Sequence, residues 1–189
     1  MITLAPSACP RLVCSIVSDG EQLERLAPDW LALLQRSSSN EPVLSPIWML
    51  NWWRIFGSLE GRQLRVACFY KDSLLVGLAP FLRRRYWHRP GIPFRRLELL
   101  STGEREEEAI CPDYLNVLAE RGEERHVAEA LVESLLKGDL GRWDELVLPH
   151  LDGESPSALA LAEAFRGAGL ACAWQVTASA SYIPLPRSW

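Results

Sequence analysis

A single α/β (α+β) domain, in which helices pack on a mixed sheet, is the fold class this sequence predicts. Three observations carry the prediction. Two β-rich runs, Leu64 to Tyr70 and Leu74 to Leu82, are separated only by Lys71-Asp72-Ser73 and read as a hairpin. Helical patterns precede that hairpin, and the second half of the chain alternates helix with strand, so a sheet covered by helices is the natural assembly. Finally, 189 residues with 48% hydrophobic and 23% charged side chains suffice for one good core. The domain is expected to span 1–180, with 181–189 a linker leading out of it.

The elements follow in order. Leu12 to Val17 reads as a first strand and Asp19-Gly20 as the turn out of it. Leu23, Leu26, Trp30, Leu33 and Leu34 recur at helical spacing, with Pro28 near the helix start or at a kink, and Ser37-Ser38-Ser39-Asn40 ends the pattern. The next helix is the most distinctive: Ser45 is suited to cap it, Pro46 to open it, and Gly57 to close it. It holds three of the chain's eight tryptophans. Trp48, Trp52 and Ile55 share one face, Met49, Trp53 and Phe56 the adjoining one, so burial nearly all round is expected.

Gly77 suggests a bulge in the second hairpin strand. Leu97 to Leu100 and Tyr114 to Leu118 are short strand candidates; Glu123 to Lys137 is an amphipathic helix whose acids gather at its N-terminal end, complementing the dipole. Glu145 to Leu148 is expected as a strand, Pro156 to Arg166 as a helix, and Leu170 to Val176 as a last strand.

Composition narrows the function classes. A formal charge of -4 exerts no overall pull toward nucleic acid or anionic membrane, so electrostatic recognition has to come from a local patch. The five cysteines lack any C-x-x-C pair and the histidines lack metal-ligand spacing, which argues against structural zinc and against a disulfide framework. The N-terminus is a poor signal peptide and no run approaches a membrane span, so a cytoplasmic location is expected.

Four short stretches bear on chemistry. Arg166-Gly167-Ala168-Gly169-Leu170-Ala171 matches the R-x-x-G-x-A pyrophosphate loop of acyl-CoA-dependent N-acetyltransferases, but it ends a helix instead of opening one, so its glycines read as helix C-caps. The better placed strand-to-helix junction, Leu118 to His126, is acidic: Glu120, Glu123 and Glu124 would repel a pyrophosphate. Arg83, Arg84, Arg85 and Arg89, interleaved with Tyr86 and Trp87 and followed by Arg95 and Arg96, form an Arg-rich loop. Either that loop grips an anion, or its arginines pair with Glu104, Glu106, Glu107 and Glu108. Asp113-Tyr114 precedes a strand and either presents a carboxylate and a phenol at a sheet end or simply makes a turn. No nucleophile or metal signature assigns catalytic residues.

Taken in order, Trp30, Ser45-Pro46-Ile47-Trp48 with Trp52-Trp53 and Phe56, Val76-Gly77-Leu78-Ala79-Pro80-Phe81, Asp113-Tyr114, Trp143-Asp144-Glu145-Leu146 and Ile183-Pro184-Leu185-Pro186-Arg187-Ser188-Trp189 resemble the N-terminal half of the CelD-like (BioF-like) acetyltransferases. These are tandem GNAT-superfamily proteins related in architecture to the FemAB aminoacyltransferases. The resemblance implies a GNAT-like mixed sheet flanked by helices, with a second GNAT domain expected after the linker. It also implies acyl-CoA-dependent N-acetyl transfer in cell-envelope or exopolysaccharide metabolism. Acetyl-CoA or another acyl-CoA is implied for the full-length protein and none for this chain, which is expected to be inactive alone and to act in substrate recognition or structure. Implied partners are that second domain, a second copy of the chain, and a small amine or sugar acceptor. Nucleic acid and a transmembrane segment are not expected. On this reading Trp48, Trp52, Trp53, Asp113 and Tyr114 are the candidate acceptor contacts and Arg83, Arg84, Arg85 and Arg89 the candidate anion contacts. The alternative is a non-catalytic binding module that uses the Arg-rich loop for an anionic partner.

Overall fold

Six strands form one mixed sheet, and the hairpin predicted from Lys71-Asp72-Ser73 lies at its centre. The computed structural model describes residues 11–89, 91–105, 107, 110 and 112–179; the tail 181–189, where the linker is expected, lies outside them. β1 (Val13–Val17) pairs antiparallel with β2 (Gln63–Lys71), which pairs antiparallel with β3 (Leu74–Arg89). Asp72 and Ser73 take positive φ at the turn. In register, Phe69 faces Gly77 but Tyr70 faces Leu75, so Val76 is the extra residue of a bulge beside the predicted glycine.

β4 (Ile92–Leu99) runs antiparallel along the outer part of β3 and ends with Leu99 opposite Phe81. Leu100 still donates to the Pro80 carbonyl at 2.7 Å, after which the chain leaves the sheet. It returns on the same side of β3 as β5 (Leu118–Ala119), with Leu118 opposite Leu78 and Ala119 opposite Gly77. β6 (Glu145–Val147) then joins the free edge of β4 in parallel.

The helices are α1 (Gly20–Arg25), α2 (Ala27–Arg36), α3 (Pro46–Phe56), α4 (Glu124–Lys137) and α5 (Pro156–Gly167). Ser45 accepts a backbone N–H of the first turn of α3, as expected, and Asp19 and Ser155 do the same for α1 and α5. Pro28 sits in the first turn of α2, where its missing N–H costs nothing, and divides the early pattern into two helices. α4 crosses the sheet so closely that a Cβ on Gly77 would lie 2.5 Å from the Val127 Cγ2. One continuous core results, with Trp30, Phe69 and Phe81 as its largest fully buried side chains. This is the mixed sheet flanked by helices, in one domain, that the sequence predicts.

Four expectations need correction. α3 is not buried all round: Met49, Trp52 and Phe56 face the core, while Ile47 and Ile55 are 76% and 64% exposed. Its outer face, with Asn51 and Arg54, is open to solvent. Arg83 to Arg89 is not a loop but the outer part of β3, because β4 begins only three residues later and supplies a partner strand. Leu170 to Val176 forms no strand: it pairs with no strand of the sheet and is exposed from Ala171 onward. Of Tyr114 to Leu118, only Leu118 lies in a strand, Leu115 contributing an isolated bridge to Leu151.

Candidate functional site

The strand-to-helix junction between β5 and α4 is where a phosphate-holding loop would open a helix, because backbone N–H groups and the positive dipole end converge there. Here the chain's own carboxylates occupy that space. Gly122, at φ +88, donates its N–H to the Glu124 carboxylate at 2.8 Å. Glu124 also accepts from Ser38 Oγ at 3.2 Å. Glu123 is bonded to Lys71 Nζ at 2.5 Å and to His126 Nδ1 at 2.8 Å, and the Lys71 contact, aided by His126, holds its carboxyl below the usual range. Glu120 pairs with Arg36 at 3.3 Å. A pyrophosphate approaching this helix end would meet three carboxylates, two of them already paired with Arg36 and Lys71, beside a Gly122 N–H that is already bonded. The residues present do not fit acyl-CoA phosphates.

The R-x-x-G-x-A stretch ends α5, as its neighbours suggested. Leu170 donates to the Phe165 carbonyl at 3.1 Å and Gly169 to Arg166 at 3.0 Å, with Gly169 at φ +71. This closes a helix C-terminus, where the dipole disfavours anions.

Trp48, Trp52 and Trp53 divide by depth. Trp52 is 3% exposed and bonds Glu104 through its indole N–H, with the Arg62 guanidinium 5.7 Å from its ring centre. Trp48, half-buried, donates to Ser101 Oγ at 2.8 Å. Trp53 is half-buried and lies against Gly57, where a Cβ would meet its ring at 2.5 Å. Asp113 and Tyr114 are exposed in a bend, Tyr114 at φ +63. Among the described residues no hydrogen bond or ring contact joins that bend to the α3 tryptophans.

The arginines lie elsewhere again. A cleft of about 950 Å³ runs along the outer part of β3, with Arg83, Arg84, Arg85, Trp87, Arg95 and Arg142 in its walls. Arg84 is matched by Glu98 and, at 3.5 Å, by Glu60. Arg95 is matched by Asp144 at 2.6 Å, and this partner draws the Asp144 carboxyl down to about 2. Arg96 pairs with Glu145 at 2.9 Å and stacks 3.4 Å over the Tyr86 ring. These acids come from β4, β6 and the residue before it, and the turn before β2, and sequence reasoning did not name them; of the acids it named, Glu106 and Glu108 lie outside the described residues. The period-2 alternation of Arg84-Tyr86 against Arg83-Arg85-Trp87 was the signal that this run is a strand. Arg89 ends β3, exposed, opposite Ile92. Among the described residues no group of His, Cys, Asp and Glu is placed to hold a metal ion, and no helix is long and apolar enough to cross a membrane.

No family model matches this chain, and no curated protein does. Two solved structures are similar in outline. An integron cassette protein from the mobile metagenome of V. cholerae aligns at 9% identity and TM-score 0.45, covering 93% of each chain. A ribosomal-protein-alanine N-acetyltransferase from Brucella melitensis biovar Abortus 2308 aligns at 13% identity and TM-score 0.47, covering 91% of this chain and 99% of that one. Neither likeness transfers an activity to this chain.

Proposed function

We propose that this chain is a GNAT-like half of an acyl-CoA-dependent N-acetyltransferase whose own cofactor end is closed, so that it serves substrate recognition or structure and does not itself transfer an acyl group. The observation that supports this reading is the β5–α4 junction, where Glu124 takes the Gly122 N–H and Glu120 and Glu123 add two more carboxylates. A second GNAT domain is the partner this reading requires. The exposed Ile47 and Ile55 on the outer face of α3 are the apolar surface against which it would rest. Acceptor contacts on this side fall to Trp48, Trp53, Asp113 and Tyr114, which keep exposed or half-exposed surface, and not to Trp52, which is core.

The test is turnover. The purified chain, incubated with acetyl-CoA and a panel of amine and amino-sugar acceptors, is expected to release no free thiol above the buffer rate. Sustained thiol release that follows chain concentration would overturn the proposal.

A further inference from the structure

The cleft along β3 holds positive charge that the fold leaves unmatched. Of its lining arginines, Arg84 and Arg95 have carboxylate partners, while Arg83, Arg85 and Arg142 form no ion pair with any described carboxylate. Among the described residues the one acid in its walls, Glu60, is already shared by Arg62, Arg84 and Arg105 at 3.2, 3.5 and 3.3 Å.

What holds these cations together is neutral. Gln63 Oε1 accepts from Arg83 at 2.6 Å and from Arg65 at 3.2 Å, and the Arg142 carbonyl accepts from Arg83 at 3.1 Å. Burial first, and the Arg83 cation second, pull the Arg65 pKa below its ordinary value. Like charges gathered round an amide oxygen are costly unless an anion joins them. The unmatched arginines in the cleft walls come from two elements, Arg83 and Arg85 from β3 and Arg142 from the α4–β6 connection. Such a group suits a compact multi-oxygen anion, since a guanidinium presents a rigid fork of donors to such oxygens. A phosphate monoester carries only about -1.5 to -2, so a diphosphate matches three cations better.

Beside them stands an aromatic face. Trp87 is 54% exposed, lines the same cleft, and by strand alternation shares a sheet face with Arg83 and Arg85. The volume, about 950 Å³, is ample for a ligand of nucleotide size. We infer that this cleft binds a nucleoside diphosphate, with Arg83, Arg85 and Arg142 on the phosphates and Trp87 stacked on the ring. The site stands independently of the closed junction: they lie at opposite ends of α4, whose 14 residues span about 21 Å.

Calorimetric titration of inorganic pyrophosphate and of uridine diphosphate into the purified chain tests this at about 0.1 M salt, where loose surface charge is screened. Arg85→Gln, Arg142→Gln and Trp87→Ala alter exposed side chains, and an unchanged melting temperature confirms the fold of each. Both ligands are expected to bind saturably, and each arginine variant should weaken both by about tenfold. Trp87→Ala should weaken uridine diphosphate by about fivefold or more and leave pyrophosphate unchanged. Arg166→Gln, an exposed arginine on α5, should alter neither. Absence of saturable binding, equal loss in Arg166→Gln, or wild-type binding by the Arg85 and Arg142 variants would each overturn the site. Saturable binding of an acidic peptide alone would do the same. Indifference of uridine diphosphate to Trp87→Ala would overturn the nucleoside assignment.

Discussion

Gly122 donates its backbone N–H to the Glu124 carboxylate at 2.8 Å, so the turn that leads into α4 is tied to the first residue of the helix. A side chain in the first helical turn that takes an N–H and carries negative charge stabilises the helix start twice over, by the bond and by the dipole. Glu124→Ala is expected to lower unfolding free energy by about 1 kcal/mol, read from the midpoint of urea denaturation. An unchanged midpoint would mean that the bond contributes nothing to the folded state.

Glu123 makes the same junction sensitive to acid. Its carboxyl is held below its ordinary value, chiefly by the Lys71 hydrogen bond and then by His126, against the opposing effect of burial. Because the folded pKa is the lower one, this stabilisation is complete above the unfolded value and fades as pH falls through the folded one. Denaturation midpoints measured from pH 7 to pH 3 should therefore drop for the native chain below about 4.5, with a shallower drop in Glu123→Gln. Parallel curves for the two proteins would contradict it.

Gly77 is required by packing. A methyl group there would sit 2.5 and 2.7 Å from the two Val127 methyls, and Val127 is 1% exposed with no room to retreat. Gly77→Ala should cost about 1 to 3 kcal/mol, and Gly77→Ala with Val127→Ala together should cost less than the sum of the two alone. Strict additivity in that cycle would show that the two residues do not meet.

Glu98 is 3% exposed and answers the Arg84 guanidinium across two adjoining strands. Removing it leaves a nearly buried cation with only Glu60 at 3.5 Å, so Glu98→Ala should destabilise by about 3 kcal/mol or more. Glu98→Leu combined with Arg84→Met should recover most of that loss, since a hydrophobic pair replaces the ion pair without stranding a charge. A double variant as weak as Glu98→Ala would place the stabilisation in contacts other than the pair.

Much of the fold was legible because its signals are local. Ser45-Pro46 starts a helix by capping chemistry that needs no partner, and the helix predicted from Pro156 to Arg166 begins at Pro156 as expected. Lys71-Asp72-Ser73 turned the hairpin for the same reason. What escaped depended on partners distant in sequence. Charge alone marked Arg83 to Arg89 as a loop, yet β4 pairs with it and Glu98, Asp144 and Glu145 neutralise its neighbours. Leu170 to Val176 has strand composition but pairs with no strand. At the junction the acidic run was visible in the sequence; that Glu124 folds back onto Gly122 was not, because it depends on a positive φ at one glycine. The neutral cradle of Gln63 between Arg65 and Arg83 left no pattern at all in the sequence.

The closed junction is tested most directly by titrating acetyl-CoA into the chain carrying Arg85→Gln and Arg142→Gln, which removes the separate cleft as a source of phosphate binding. The account predicts no saturable heat up to about 1 mM ligand. Binding in the micromolar range by that variant would contradict it, because the phosphates would then have to sit at the β5–α4 turn in spite of Glu120, Glu123 and Glu124.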